Sequence, residues 1–181
     1  MQRKDYERAN TLSDVNQRWW FALYTKPRSE FKAAEQIEGA GIKYYLPTIT
    51  KLKQWSDRKK KITEPLLRGY IFIFGNEKER IISLEQYSVV RCLTEAGRPA
   101  KIPEWQIENL KKMLSTNSDV LVKEGLVPGV RIRIKEGPFE GVIGTLQEID
   151  KEKTLAVTID LLNRSVVAYL PKESIIEIIK G

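Results

Sequence analysis

The sequence predicts an α+β protein that begins with an α/β sandwich, an antiparallel sheet with flanking helices, and ends with a small five-stranded β-barrel. Strand patterns and helix patterns alternate over residues 18–114, which is typical of helices packed on one sheet. After about residue 127 the chain contains only short strand patterns separated by turns, as in small barrels. The polar run Ser115–Asp119 starts a linker, residues 115–126, between domains at 18–114 and 127–181.

The elements of the first domain follow from its apolar spacing. Trp19–Thr25 is aromatic and apolar, which predicts a buried strand that ends at Pro27. Ser29 is a suitable N-cap for a helix that continues to Gly39, and Glu30 is well placed for the helix dipole. The remaining patterns predict strands at 42–46, 70–74 and 89–93, a hairpin at 49–55 and 59–64, and helices at 77–84 and 103–114. Residues 1–17 are polar, and we expect them to be frayed or disordered.

The second domain is predicted from five strand patterns, at 130–135, 142–148, 154–160, 165–170 and 174–179. Its first strand alternates apolar with basic residues, so one face of it should be buried. A tight turn follows, formed by Gly137, Pro138, Phe139 and Gly141. Glycine allows backbone angles that other residues resist, so we interpret this turn as the structural corner of the barrel.

Composition argues against catalysis. The 181 residues include no histidine, which removes Ser–His and Cys–His pairs and histidine metal sites. No paired carboxylate motif stands out, so we expect neither an enzyme nor a cofactor or metal. The single cysteine, Cys92, is interpreted as a buried core residue. No apolar run approaches the roughly 20 residues of a membrane helix, and no signal peptide is visible, so we expect a cytoplasmic monomer without membrane contact.

Charge is distributed unevenly along the chain. The net charge is +7, and residues 18–114 carry 19 basic and 11 acidic residues, a net charge of +8. Residues 115–181 carry 9 basic and 10 acidic residues, a net charge of −1. This asymmetry favours nucleic acid beside the first domain and a different partner for the second.

The predicted hairpin is the strongest candidate for a nucleic-acid contact. Its basic residues surround one tryptophan, so it could contact phosphates and stack on a base. A solvated loop with a packed tryptophan fits the same residues equally well. The candidates are Lys53, Trp55, Arg58, Lys59 and Lys60 in the hairpin, and Lys26, Arg28 and Lys32 around the start of the first helix.

Four aromatic residues form a second candidate site. Trp20 and Tyr24 share one face of their strand, and Tyr70 and Phe72 share one face of theirs. If the two strands are neighbours, the four rings line one surface. Such rings are more often core than interface, but an exposed aromatic surface would mark a protein interface.

Three motifs in this order resemble the NusG-type transcription elongation factors, which consist of an NGN domain and a KOW domain. They are Trp20–Glu30, Pro65–Ile73 and the turn Gly137–Gly141. The segment Gln54–Lys60 is most similar to the specialised RfaH-like and UpxY-type paralogs, which are antiterminators of capsule and surface-polysaccharide operons. The tripeptide Leu67–Gly69 departs from the usual Phe-Pro-Gly, and the threonine-rich gate-loop contact of RfaH has no clear counterpart near Glu79–Ser83.

The resemblance implies a transcription processivity or antitermination factor. In such a protein, Tyr24, Tyr70 and Phe72 fall on an apolar pocket that binds the clamp helices of the largest RNA polymerase subunit, with Trp20 on the same strand face. The resemblance also implies contact with the non-template DNA strand or nascent RNA near Lys26 and Arg28. The KOW domain would recruit a ribosomal small-subunit protein or the Rho factor. The alternative is a ribosome-associated or general RNA-binding KOW protein.

One further property of the family stays open. In RfaH the KOW segment can refold as helices. The β-branched runs Val157–Ile159 and Ser165–Val167 favour the barrel in this chain.

Overall fold

The structure is a computed structural model that describes residues 16–54, 58–116, 119–125, 127–149 and 152–179. It divides into two compact units, Met1–Ile102 and Pro103–Gly181. Of the segment that we expected to be frayed, residues 1–15 lie outside the described residues. No helix of the described ranges is long and apolar enough to cross a membrane.

The first unit is built on a four-stranded antiparallel sheet with the strand order β2-β5-β1-β6. Its elements are β1 (Trp19–Thr25), α1 (Glu30–Gly39), β2 (Lys43–Tyr45), β3 (Thr48–Gln54), β4 (Lys59–Pro65), β5 (Tyr70–Gly75), α2 (Glu77–Leu84), β6 (Val89–Cys92), β7 (Thr94–Glu95) and β8 (Arg98–Pro99). Strands β3 and β4 form the predicted hairpin, and β7 and β8 form a second, short one that the sequence analysis missed.

One face of this sheet packs against helix α1. Leu23 lies opposite Ile71 on β5 and opposite Cys92 on β6, so the alternate residues of three strands point to the same side. The cluster on this side consists of Phe21, Leu23, Ala33, Ala34, Ile37, Ile42, Ile71, Ile73, Val89 and Cys92. Cys92 is buried as predicted, and burial raises the pKa of its thiol. The opposite face of β1 and β5 carries aromatic residues.

The second unit contains a six-stranded antiparallel sheet with the strand order β14-β10-β11-β12-β13-β9. Its elements are α3 (Glu104–Ser115), β9 (Val120–Glu124), β10 (Val130–Glu136), β11 (Ile143–Ile149), β12 (Glu152–Ile159), β13 (Arg164–Tyr169) and β14 (Ile175–Ile178). The five predicted strands are present, and the mixed fold class is confirmed. The sixth strand, β9, lies in the expected linker and pairs with β13.

Helix α3 belongs to the second compact unit, because most of its contacts are made there. The sequence pattern instead predicts that residues 103–114 belong to the first domain. The side-chain amide of Gln106 donates to Asp160 Oδ2 at 2.6 Å and accepts from the Asp160 amide at 3.3 Å. The Ile143 amide donates to Asn109 Oδ1 at 3.1 Å. Polar residues at positions 106 and 109 resemble a solvent-facing side in the sequence, so these contacts could not be foreseen. The domain boundary at 114 stays a prediction.

The close packing of β11 on β12 predicts a strong effect of one glycine substitution. A Cβ atom at Gly144 would lie 2.5 Å from the carbonyl oxygen of Ala156, and a backbone atom cannot move away cheaply. We expect Gly144→Ala to lower the free energy of unfolding by about 1–3 kcal/mol, measured by urea denaturation.

The matched control is Gly39→Ala, because no atom lies within 4 Å of a Cβ atom there. This substitution should leave stability unchanged or raise it by about 0.4–1 kcal/mol. Equal stability of the two variants would contradict the strand packing described above.

Candidate functional site: the aromatic face of the sheet

The structure brings the four aromatic candidates together on one face of the sheet. Strand β1 pairs with β5 so that Tyr24 lies opposite Tyr70 and Ala22 lies opposite Phe72. Trp20 lies two residues before Ala22 and therefore points to the same side. This side is the one that does not carry the cluster on helix α1. We call it the aromatic face; its rings belong to Trp20, Tyr24, Tyr45, Tyr70, Phe72 and Phe74.

The rings of the aromatic face contact one another in three pairs. Tyr24 and Tyr70 meet edge to face with their centroids 5.5 Å apart. Phe72 stacks on Tyr45 at 6.3 Å, and Trp20 is tilted against Phe74 at 5.3 Å. Tyr45 and Phe74 were not among the predicted site residues. The period of two after Phe72 could have indicated Phe74, whereas Tyr45 required the pairing of β2 with β5.

The rings of this face differ in exposure, which separates two roles. Trp20 is 1% exposed and Phe72 is 0% exposed, so both are core residues. Tyr24 and Tyr70 are half-buried and keep part of each ring accessible. A partner could therefore touch the two tyrosines directly, while Trp20 and Phe72 are buried in the core of the first unit.

Basic side chains border the aromatic face on both edge strands. On β6, Arg91 lies opposite Tyr24, and its guanidinium carbon is 5.7 Å from the centroid of that ring. On β2, Lys43 lies opposite Phe74, and its Nζ is 5.0 Å from the Phe74 centroid. Cations over aromatic rings are attracted by the negative face of the ring. The surface thus combines accessible tyrosines with positive charge and suits a partner with acidic side chains.

The turn before β5 is tied to helix α1. The Gly69 amide donates to Glu30 Oε1 at 2.7 Å, and the Thr25 amide donates to the Gly69 carbonyl at 2.9 Å. Glu30 is 6% exposed. The sequence indicated only a helix-dipole role for Glu30, because this hydrogen bond joins residues 39 positions apart.

Two of the basic candidates near the first helix lie over an exposed ring that the sequence analysis did not single out. Lys26 Nζ is 3.3 Å from the centroid of the Tyr87 ring, and Lys32 Nζ is 5.7 Å from it. Tyr87 is 71% exposed. Arg28 is also exposed and has a left-handed backbone with φ of 58°. An exposed aromatic side chain next to lysine ammonium groups is typical of sites where a nucleic-acid base stacks.

The hairpin candidates lie on the β3–β4 ribbon. Lys53 lies opposite Lys60, and Gln54 lies opposite Lys59. Arg58, Lys59 and Lys60 are exposed. Trp55 lies outside the described residues, so its predicted stacking role stays a prediction.

The turn of the second unit has the geometry of a structural corner. Gly137 and Gly141 have φ of 115° and 77°, and Phe139 is 1% exposed. The Gly141 amide donates to the Ile134 carbonyl at 2.9 Å, which closes the turn onto β10. The burial of Phe139 and the hydrogen bond of the Gly141 amide fit the structural role that we predict for this turn.

Comparisons with known proteins identify the family. A family model described as "Transcription termination factor nusG" matches residues 18–111. The chain is 24% identical over 166 residues to the transcription termination/antitermination protein NusG of Haemophilus influenzae, covering 83% of this chain and 89% of that protein. It is 26% identical over 174 residues to the protein of the same name from Campylobacter jejuni, covering 87% of this chain and 97% of that protein.

A solved structure described as "Domain interaction in Thermotoga maritima NusG" is similar at 22% identity and a TM-score of 0.46, covering 85% of this chain and 93% of that one. Because the family model spans more than half of the chain, this protein belongs to the NusG family of transcription termination factors.

Proposed function

We propose that this protein binds RNA polymerase through the aromatic face and promotes processive transcription, as a specialised antiterminator of the RfaH-like or UpxY-type class. The observation that carries the proposal is the pair of half-buried tyrosines, Tyr24 and Tyr70, on a face bordered by Arg91 and Lys43. Tyrosine and arginine are the residues that most often dominate protein interfaces. We further propose that the protein serves an operon for polysaccharide biosynthesis. This part of the proposal rests only on the resemblance of Gln54–Lys60 to the specialised paralogs.

The mechanism is a shift between two states of the polymerase. The aromatic face binds the clamp helices of the largest subunit, and it binds them better when the clamp is closed. A ligand that prefers one state raises the population of that state by its difference in affinity. The protein therefore disfavours the open, paused enzyme without catalysing a reaction of its own.

The second domain, residues 127–181, would act as a KOW domain that recruits a ribosomal small-subunit protein or Rho. Support comes from the net charge of −1 over residues 115–181, which does not favour a nucleic-acid partner. The proposed NGN domain, residues 18–114, carries +8. Such a protein would work as a monomer in the cytoplasm.

Single-stranded nucleic acid is the second proposed ligand of the first domain. Lys26, Arg28 and Lys32 would contact the phosphates of the non-template strand, and the basic β3–β4 ribbon would extend the contact. Tyr87 would stack on a base, since the residue is 71% exposed, and the ammonium groups of Lys26 and Lys32 beside it would contact the neighbouring phosphates.

Salt dependence tests this contact. Replacing Lys26 and Lys32 with glutamine should reduce the slope of log affinity against log salt by about 1.4, because each lysine that neutralises a phosphate of a single strand contributes about 0.7. Tyr87→Ala should cost about 1–3 kcal/mol of binding free energy. Fluorescence anisotropy with a labelled single-stranded oligonucleotide measures both quantities.

The control variant is Lys78→Gln with Lys101→Gln, which removes the same charge from the same unit. It should leave the slope nearly unchanged. If the two double variants weaken binding equally, the lysines contribute only net charge and the proposed site is wrong.

The exposed basic ribbon also favours a rival function, an RNA-binding or ribosome-associated protein. Sedimentation of a lysate separates the two. A polymerase-binding factor stays with the polymerase after nuclease treatment, whereas an RNA-binding protein is released by nuclease or by moderate salt. Release by nuclease together with loss of polymerase association would overturn the proposed function.

A further inference from the structure

We infer that Glu30 is a positioning residue for the aromatic face: its carboxylate holds the Gly69 turn and thereby sets the orientation of Tyr24 and Tyr70. The inference rests on the proposed function, because it assigns a role in binding through that face. Neither the family match nor the sequence pattern assigns such a role to Glu30.

Gly69 is held from two sides. Its amide donates to Glu30 Oε1 at 2.7 Å, and its carbonyl accepts from the Thr25 amide at 2.9 Å. Glu30 is the first residue of α1, and Thr25 is the last residue of β1. One peptide segment is therefore held by a helix and a strand, and the next residue along the chain is Tyr70.

Gly69 also contacts the ring of Tyr24. Gly69 has φ of 82°, and a Cβ atom there would lie 3.1 Å from Tyr24 Cε2. The Tyr24 ring thus packs against the bare Cα of Gly69, and its neighbour at 5.5 Å is Tyr70. Any shift of Gly69 changes both the surface beneath Tyr24 and the start of the strand that carries Tyr70.

The carboxylate of Glu30 can act in two ways, by positioning Gly69 and by stabilising helix α1. A carboxylate at the start of a helix is favoured by the helix dipole, and that effect depends on charge. The hydrogen bond to Gly69 depends instead on an acceptor oxygen at the right distance. Glu30→Gln keeps an acceptor oxygen at the same reach and removes the charge, whereas Glu30→Asp keeps the charge and shortens the reach.

The test uses the full-length chain and purified core RNA polymerase in an equilibrium binding assay. Glu30→Asp should weaken binding about tenfold, whereas Glu30→Gln should stay within about twofold of the original protein, because a hydrogen bond to a buried group is lost only in the first variant. The amide proton of Gly69, followed by NMR, should lose protection from exchange in Glu30→Asp and keep most of it in Glu30→Gln.

Gly69→Ala provides a second route, since it perturbs the same turn without changing Glu30. Its Cβ atom presses on the Tyr24 ring, so the variant should also bind the polymerase about tenfold more weakly. If Glu30→Asp does not fold, Gly69→Ala and Glu30→Gln still decide the question.

Two outcomes would overturn the inference: binding of Glu30→Asp and Gly69→Ala equal to that of the original protein, or a loss in Glu30→Gln that Glu30→Asp does not share, which would indicate a charge effect. Failure of the proposed function gives a different result. In that case Tyr70→Ala also binds as the original protein does, or the original protein does not bind at all.

Discussion

Replacing Tyr24 and Tyr70 together with alanine should weaken binding to core RNA polymerase by at least about a hundredfold, since dominant interface residues typically contribute about 2 kcal/mol or more each. The two rings are the accessible part of the aromatic face, and they contact each other edge to face at 5.5 Å. Both are half-buried, so the variant should still fold, which circular dichroism can verify. Titration of fluorescently labelled protein with purified polymerase measures the dissociation constant.

The control for this variant removes two exposed aromatic rings elsewhere in the same unit. Phe31 is 45% exposed and Tyr87 is 71% exposed. Replacing both with alanine should leave binding to core polymerase, without nucleic acid, nearly unchanged. An equal loss in the two double variants would show that the aromatic face has no special role.

Replacing Phe72 with alanine should destabilise the protein by about 3–5 kcal/mol, the usual cost of removing a buried phenylalanine ring. Phe72 is 0% exposed and stacks on Tyr45. Small proteins commonly have only about 5–15 kcal/mol of stability, so the loss is a large share of the total. Urea denaturation followed by circular dichroism measures the change.

Phe31→Ala is the matched control, because the same side chain is removed from an exposed helix position. It should change the free energy of unfolding by about 0.5 kcal/mol or less. Similar values for the two variants would contradict the burial of Phe72. The stability cost also means that a binding defect of Phe72→Ala alone cannot identify Phe72 as a contact residue.

Local patterns predicted most of the fold. Strand β1 and helix α2 have the bounds that the sequence indicates, Trp19–Thr25 and Glu77–Leu84. Helix α2 is also fixed locally, because Asn76 and Glu79 form a capping box at its start. Strand β9 was missed because it follows the polar run Ser115–Asp119 and gains its partners only from β13, about 40 residues later.

The candidate site could be predicted only in part, because it also depends on contacts between residues that are distant in the sequence. The period of two along β1 and β5 indicates which rings share a face of each strand. The exposure of each ring depends on neighbouring strands and could not be predicted, so Trp20 and Phe72 were grouped with the accessible tyrosines. The bond between Glu30 and Gly69 and the placement of Tyr87 beside Lys26 depend on loops that meet only in the folded chain.

The central claim, that the aromatic face acts on RNA polymerase, is tested most directly by single-round transcription with purified polymerase on a template with a terminator. The original protein should increase the fraction of transcripts that pass the terminator, and the variant Tyr24→Ala with Tyr70→Ala should not. The control variant Phe31→Ala removes an exposed ring that lies outside the aromatic face and outside the proposed nucleic-acid contact, so it should increase read-through as the original protein does. Equal read-through with the original protein, with the Tyr24 and Tyr70 variant and with no protein added would contradict the claim.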